Sequence, residues 1–217
     1  MRKDPYKILK VHPSTKLEDI KKAYRELVKI YHPDKGGDAK VIIEINEAWE
    51  ILKNKHKDLN SNTFNNSQFY KKNEYKKETN NYSKSQDIKN WFQNIYLPID
   101  KLLGQIINPL SSKIKELSAD PYDQLLMDSF CLYLEQSKNK ITKVKVIYTS
   151  FASPTIIRDF SLDLYYCLSQ VEDGLNELER YTMGYVDNYL HDGKSMIADA
   201  KKKRKFLQNN KKEWLIL

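Results

Sequence analysis

A heptad repeat of apolar residues between positions 157 and 189 constrains the fold more than any other feature of the chain. Ten positions follow one another in alternating steps of four and three residues, and eight of the ten are apolar. They are Ile157, Ser161, Leu164, Leu168, Val171, Leu175, Leu178, Thr182, Tyr185 and Tyr189. The spacing places all ten on one side of a helix, so it predicts one long helix with an apolar seam. Packing within its own domain is the first interpretation of the seam, and self-association through residues 157–189 is the alternative.

The sequence between residues 87 and 151 is also of the helical type. Apolar residues from Trp91 to Leu117 keep a helical rhythm, which Pro98 and Pro109 are expected to interrupt. Asp120-Pro121 has the pattern of a helix cap followed by proline, and it predicts a helix through about Ser137.

Two further segments complete the predicted C-terminal region. Residues 141–151 fit a helix, although Val144, Val146 and Tyr148 alternate like a strand, and we assign them to a helix. His191-Asp192-Gly193 predicts a turn or a helix end, and a final basic helix is expected from about Lys194.

Residues 60–86 separate this region from the N-terminal part of the chain. The segment is rich in Asn, Ser, Lys and Tyr and contains no glycine and almost no aliphatic side chains. Such a segment cannot bury enough apolar surface to offset its ordering entropy. The sequence therefore predicts an all-α protein with an N-terminal domain over 1–59, a disordered polar linker over 60–86 and a helical bundle over 87–217.

The N-terminal domain carries signals for three short helices. Asp4-Pro5 caps the first, Thr15-Lys16-Leu17-Glu18 has the capping-box spacing that starts the second, and Pro33 with Gly36-Gly37 ends it. Apolar side chains at helical spacing predict a core in which the second and third helices form an antiparallel hairpin. These residues are Tyr6, Ile8, Leu9, Ile20, Tyr24, Leu27, Tyr31, Ile42, Ile45, Trp49 and Leu52.

The loop between the second and third helices reads His32-Pro33-Asp34-Lys35. With Asp4–Leu9, Ile20–Leu27 and Ile45–Leu52 in the matching order around it, the segment 4–53 resembles the J domain of the DnaJ co-chaperone family. The resemblance implies docking on a DnaK-type (heat-shock-70 class) chaperone and stimulation of its ATP hydrolysis. It also implies that the activating loop consists of His32, Pro33, Asp34 and Lys35.

The rest of the chain indicates which class of J-domain protein it resembles. Six glycines and two cysteines exclude the Gly/Phe-rich segment and the cysteine-rich zinc motifs of other classes. The chain therefore resembles class C, in which a private domain selects the client or the site of action. Residues 54–59 match the family's basic fourth helix only loosely, so that helix is expected to be short or frayed.

Four basic residues of the second helix are candidates for chaperone docking. Lys21, Arg25 and Lys29 lie at i, i+4 and i+8 with Lys22 beside them, which predicts a basic stripe on the solvent side. In the resembled family this face docks on an acidic chaperone surface, and long-range attraction of this kind weakens with salt. Glu26 stands where many family members carry a basic residue, so the stripe is expected to be weaker or tuned to one partner.

The sequence favours a protein without catalytic chemistry of its own. His32 has no nucleophile or second base in its motif, and Cys131 and Cys167 have no ligand-spaced partners. We therefore predict no enzyme, no cofactor, no metal site and two buried thiols. The sequence opens without a signal peptide, and its uncharged stretches are shorter than the roughly 18 residues of a spanning helix, so a cytoplasmic protein is expected.

Three interpretations remain open for the C-terminal domain. The preferred one is a bundle that recruits a specific client or scaffold protein to the chaperone. The second is attachment to nucleic acid through Lys201-Lys202-Lys203-Arg204-Lys205, for which the alternative is a solvated helix end. The third is association with a membrane surface through Trp91-Phe92, Leu102-Leu103 and Ile106-Ile107, for which the alternative is an ordinary core.

The distribution of charge weighs against nucleic acid. The chain carries a net charge of +8, of which residues 1–59 hold 14 basic and 10 acidic side chains and residues 60–86 hold 5 and 2. Residues 87–217 hold 18 basic and 17 acidic side chains. A nearly neutral domain lacks the electrostatic footprint of a nucleic-acid-binding protein.

Overall fold

The computed structural model describes residues 4–31, 39–60 and 81–214, and in these ranges it contains helices and no strand, which confirms the all-α class. The chain divides into two compact units, residues 1–77 and 78–217. Helices of the first unit are α1 (Pro5–Ile8), α2 (Leu17–Tyr31) and α3 (Ala39–Asn60). Helices of the second are α4 (Asn81–Trp91), α5 (Leu97–Ile107), α6 (Leu110–Leu117), α7 (Gln124–Ser150), α8 (Arg158–Gly184) and α9 (Asp187–Trp214). No helix in the described ranges is both long enough and apolar enough to cross a bilayer.

The first unit is organised around α3, which packs against both α1 and α2. Of the side chains predicted to form its core, seven are buried: Leu9, Ile20, Tyr24, Leu27, Ile45, Trp49 and Leu52. The other four are partly exposed: Tyr6, Ile8, Tyr31 and Ile42. The apolar stripes of α2 and α3 therefore face each other, as their helical spacing requires.

The end of α3 differs from the prediction. The expected short fourth helix over residues 54–59 is instead the last part of α3, which continues to Asn60. No proline or glycine lies between Ala39 and Asn60 to end the helix. The extension places the Lys55 ammonium 5.2 Å from the centre of the Tyr6 ring, and this cation–π contact joins α3 to α1.

The predicted linker is shorter at its C-terminal end than its composition suggested. Residues 61–80, its greater part, lie outside the described residues. Helix α4 begins at Asn81, so residues 81–86 are helical, which corrects the boundary at 87. The buried side chains of Ile88 and Trp91 anchor the last two turns of α4, and a helix anchored in this way can extend backwards through polar residues.

The prediction that Pro98 interrupts the helix is wrong. The chain continues from α4 through a π-helical segment, Phe92–Tyr96, directly into α5. The amide of Leu97 donates to the carbonyl of Phe92, five residues earlier. The wider turn changes the position of the carbonyls that a proline ring would otherwise meet, so the helix absorbs the proline without ending.

The cap of α7 lies three residues beyond the predicted one. Asp120 and Pro121 lie in a turn, where the Asp120 carboxylate accepts from the amide of Tyr122 at 2.9 Å. Asp123 is the actual cap, and its carboxylate accepts from the amides of Leu125 and Leu126 at 2.8 and 2.9 Å. Helix α7 then runs unbroken to Ser150 and merges the two helices predicted before and after residue 137. The helical assignment of 141–151 is confirmed up to Ser150.

The heptad seam is buried inside the second unit. Nine of its ten side chains are buried and Tyr189 is partly exposed, so the interpretation as packing within the domain is confirmed. Helices α8 and α9 form the most extensive helix pair of the unit, and α7 covers α8 from another side. Because these side chains are covered by their own chain, they leave no seam for a second copy.

The turn between α8 and α9 lies earlier in the chain than predicted. Helix α8 ends at Gly184, and Tyr185 takes the left-handed conformation that closes it, with φ of 55°. Residues 191–193, predicted as a turn, lie within α9. Gly193 serves a different purpose, because a Cβ placed on it would lie 2.8 Å from the carbonyl oxygen of Gly174 on α8. Its missing side chain allows the two helices to approach closely.

Buried tyrosines predict a loss of stability at high pH. Burial raises the pKa of Tyr24, Tyr133 and Tyr181 to about 12, whereas an unfolded tyrosine titrates near pH 10. Their stabilising contribution is therefore complete below about pH 10 and is lost as pH rises towards 12. We expect the urea midpoint to be constant from about pH 7 to 9 and to fall steadily above pH 10. A midpoint that stays constant to pH 11.5 would contradict this prediction.

Candidate functional site

The His32–Lys35 loop belongs to the connection between α2 and α3, and the packing of these two helices positions the ends of that connection. Helix α2 ends at Tyr31 and α3 begins at Ala39, and residues 32–38 that connect them lie outside the described residues. Tyr24 joins α2 to α3. Its ring stacks on Trp49 with 5.3 Å between the ring centres, and its hydroxyl donates to the Asn46 side chain at 2.8 Å. Burial, assisted by the negative charge of Glu50, raises the pKa of Tyr24, so this hydroxyl remains a donor at neutral pH.

The predicted docking face is only partly a surface. Lys22 is exposed and Lys21 and Lys29 are partly exposed, but Arg25 keeps only 5% of its surface accessible. The prediction that Arg25 lies on the solvent side is therefore wrong. Helical spacing gives the direction in which a side chain leaves the axis and not what covers it, and Arg25 lies on the same side as the buried Val28 one turn later. Of the four predicted residues, only the three lysines keep substantial accessible surface.

Three isoleucines of this unit are exposed, Ile30, Ile43 and Ile51, and Ile30 is the one beside the loop. Ile30, next to the last residue of α2, leaves 63% of its surface accessible. It falls outside the apolar stripe that contains Leu27 and Tyr31, and this mismatch was the available signal. Its place beside the loop makes it a candidate contact for a partner.

The basic cluster 201–205 does not form one free surface. The Arg204 guanidinium is tied to the Asp100 carboxylate on α5 by Nε–Oδ1 and Nη2–Oδ2 distances of 2.7 and 3.1 Å. Lys203 lies 3.9 Å from Asp163 on α8, and Lys202 pairs with Asp199 at 2.8 Å. Lys201 and Lys205 are exposed. Two of the five residues, Lys203 and Arg204, therefore join α9 to its neighbours, and a third, Lys202, is paired within α9, which weakens the basis for a nucleic-acid site there.

The stretch considered for membrane association is a core. Trp91, Phe92, Leu103, Ile106 and Ile107 are all buried, and only Leu102 is partly exposed. The rings of Phe92 and Tyr96 meet Phe160 of α8 at 5.0 and 5.1 Å. These side chains are not available to a bilayer, so membrane association through them is excluded.

The described residues also show how the two cysteines are placed. Cys167 is buried and its thiol lies 3.4 Å from the carbonyl oxygen of Ala200, whereas Cys131 is only partly buried, which corrects half of the prediction. Burial raises the pKa of Cys167 to about 11, so it is a neutral thiol at physiological pH. Within the ranges that the structure describes, no group of three His, Cys, Asp or Glu side chains is placed to hold a metal ion.

Comparison with known families assigns both units. A family model of the DnaJ domain matches residues 4–60, and one described as the C-terminal domain of a cyanobacterial DnaJ chaperone matches residues 83–215. The second match alone covers more than half of the chain. The chain belongs to the cyanobacterial DnaJ chaperone family. The resemblance to J-domain co-chaperones is thus confirmed, and the C-terminal domain, which the sequence left unassigned, receives a family.

Curated relatives of this DnaJ-family chain match it in the J domain. It is 48% identical over 61 residues to the chaperone protein DnaJ of Chlorobium limicola, covering 26% of this chain and 15% of the relative. It is 50% identical over 50 residues to a tetratricopeptide repeat and J domain-containing co-chaperone of Mycosarcoma maydis, covering 23% and 9%. A DnaJ homolog of subfamily C, member 16, from Gallus gallus is 44% identical over 61 residues, covering 27% and 8%. The chain therefore spans less than a sixth of the length of these relatives. No solved structure matches the chain significantly.

Proposed function

We propose that this DnaJ-family chain docks its J domain on a DnaK-type chaperone, stimulates ATP hydrolysis by that partner and has no catalytic activity of its own. The observation that carries the proposal is the DnaJ-domain match over residues 4–60, within which His32-Pro33-Asp34 connects α2 to α3. The coupling acts between two proteins, since this chain contributes contacts and the partner contributes the nucleotide site.

Each residue of the loop has a physical role in this proposal. Pro33 fixes one backbone angle, so the carboxylate of Asp34 is presented in a limited set of directions. Asp34 competes for charged contacts in the partner, and this biases the partner towards its hydrolysis-competent state. His32 orients the loop or contacts the partner directly, and Lys35 adds a positive charge at its end.

The exposed lysines of α2 supply the docking surface. Lys21, Lys22 and Lys29 attract an acidic chaperone surface and raise the rate of encounter, and Ile30 adds an apolar contact at the end of the helix. Arg25 is buried inside the unit and does not form part of the docking surface.

The test is single-turnover ATP hydrolysis by a DnaK-type chaperone with and without the full chain. We expect acceleration that shrinks several-fold as salt rises from about 50 to about 300 mM, because screening shortens the reach of the lysine charges. At subsaturating concentration Lys22→Ala is expected to lower the acceleration about two- to fivefold. Lys7→Ala, which removes an exposed lysine from α1, is the matched control and should change nothing. A response that does not depend on salt would rule out the docking role of the lysines.

The C-terminal domain is proposed to recruit a specific client or scaffold protein. Two observations support this over the other interpretations: the apolar stretch considered for membranes is buried, and most of the basic cluster is paired within the domain. A cytoplasmic location belongs to the same proposal.

A further inference from the structure

The outer side of the α8–α9 pair carries a concentrated apolar surface. Leu162, Tyr165, Tyr166 and Phe206 leave 47%, 49%, 48% and 53% of their surfaces accessible. One leucine and three aromatic rings exposed to this degree present on the order of 400 Å² to solvent. A patch of that size on a soluble domain marks an interaction site more often than chance exposure. We call these four side chains and the charged residues around them the outer hairpin face.

The register of the two helices makes this surface continuous. The Lys203 ammonium lies 3.9 Å from the Asp163 carboxylate and 5.1 Å from the centre of the Tyr166 ring. In an antiparallel pair, Phe206, one turn after Lys203, is therefore level with Leu162, one turn before Tyr166. The exposed apolar side chains of the two helices therefore lie at the same level.

Charges around the outer hairpin face are segregated between its two helices. The α8 side carries Asp159, Asp163 and Asp173, and the α9 side carries Lys202, Lys203 and Lys205. Each helix has one exception: Arg158 on α8, one turn before Leu162, is exposed, and Asp199 on α9 is paired with Lys202. One helix of the face is thus mainly acidic and the other mainly basic, and Lys203 and Asp163 meet across the groove between them.

We propose that the outer hairpin face binds a second copy of this chain through a twofold axis that runs along the groove between α8 and α9. Rotation about an axis parallel to the helices exchanges the positions of α8 and α9 and does not shift a residue along the helix direction. Helix α9 of one copy therefore lies over α8 of the other. Lys203 then faces Asp163 of the second copy, because the two residues are level within each chain. Phe206 in the same way faces Leu162 of the second copy. One operation therefore pairs opposite charges and buries the apolar side chains.

Other occupants fit this face less well. Anionic lipid and nucleic acid are repelled by the aspartates of α8. An extended apolar peptide does not require acidic and basic residues to be sorted onto separate helices. A second copy is the partner that carries the matching pattern by construction.

The area limits how tight the dimer can be. The face spans about 15 residues of α8, or roughly 22 Å, and the width of two helices. The resulting interface is at the small end of specific ones, so we expect a monomer–dimer equilibrium in the range of tens to hundreds of micromolar. We expect J-domain activity to be independent of this interface, because all residues of the face belong to the second unit.

Charge exchange on the full chain tests the proposal by sedimentation equilibrium. The mass of wild type is expected to rise from 25.7 kDa towards twice that value between about 5 and about 500 µM. Lys202→Glu with Lys203→Glu, and separately Asp159→Lys with Asp163→Lys, should each weaken dimerisation about tenfold or more. Mixed in equal amounts, the two variants should dimerise again, because each acidic helix then faces a basic one. This rescue also shows that both variants are folded.

Apolar variants and a control complete the test. Phe206→Ser should weaken the dimer about tenfold or more, whereas Leu125→Ser, which changes an exposed leucine on α7 away from the face, should not. A chain that stays monomeric to 500 µM, or variants that fail to dimerise when mixed, would overturn the proposal. A wild type that stays monomeric but binds anionic vesicles or an acidic apolar peptide, and loses this binding on Phe206→Ser, would also overturn the proposal. ATPase stimulation, measured on the same variants, should be unchanged, so failure of the dimer and failure of the co-chaperone function are distinguishable.

Discussion

His32→Gln or Asp34→Asn in the full chain is expected to abolish the acceleration of ATP hydrolysis by a DnaK-type partner. In single-turnover measurements each variant should return the rate to within about twofold of the partner alone, since a coupling between two proteins is lost when its differential contacts are removed. Asp34→Asn keeps the shape of the side chain and removes its charge. His32→Gln keeps a hydrogen-bonding side chain and removes the ring.

The chain provides a close control for this experiment. His12 also precedes a proline and lies exposed in the same unit, where its Nδ1 contacts the Ser14 hydroxyl at 2.8 Å. His12→Gln should leave the acceleration unchanged, because no Asp follows that proline. Equal acceleration by wild type, His32→Gln and Asp34→Asn would exclude the proposed mechanism. Circular dichroism of each variant checks that the α2–α3 pair, which the stacking of Tyr24 on Trp49 holds together, is retained.

Periodic features of the sequence predicted burial well. The heptad spacing from Ile157 to Tyr185 identified a line of side chains that are all buried, and the stripes of α2 and α3 likewise met each other. Periodicity works here because the direction of a side chain follows directly from helical geometry. The same geometry does not say what lies beside a helix, and this is why Arg25 was placed on the surface although it is covered.

Local signals for helix ends were less reliable, because one residue type serves several purposes. Asp120-Pro121 and Asp123 both have cap-forming side chains, and the sequence alone gave no reason to prefer the second. Pro98 has the local signature of a break, but an extra residue in the preceding turn accommodates it. In both cases a tertiary or backbone adjustment decided between alternatives that were locally close in energy.

Gly193 is the clearest example of a residue with two meanings. In a sequence, glycine after a polar pair suggests the end of a helix. In the structure its missing side chain is a packing feature, because a Cβ would lie 2.7 Å from Cγ of Leu178 and 2.8 Å from the Gly174 carbonyl oxygen. The contact with the Gly174 carbonyl oxygen is a contact with backbone, so a Cβ at position 193 can be accommodated only if α8 and α9 move apart.

Gly193→Ala is therefore expected to destabilise the second unit by about 2 kcal/mol, although alanine favours a helix over glycine. The expected drop in Tm is about 4–8 °C. Gly174→Ala should cost less, because its nearest neighbour is the flexible Ile197 side chain at 2.6 Å and the Gly193 carbonyl oxygen lies farther away at 3.0 Å. Gly184→Ala is the control: its Cβ would meet Val186 at an ordinary 3.6 Å, so stability should stay equal or rise slightly. Thermal and urea unfolding followed by circular dichroism would measure all three. If Gly193→Ala and Gly184→Ala prove equally stable, the close approach of α8 and α9 is not the reason for glycine at position 193.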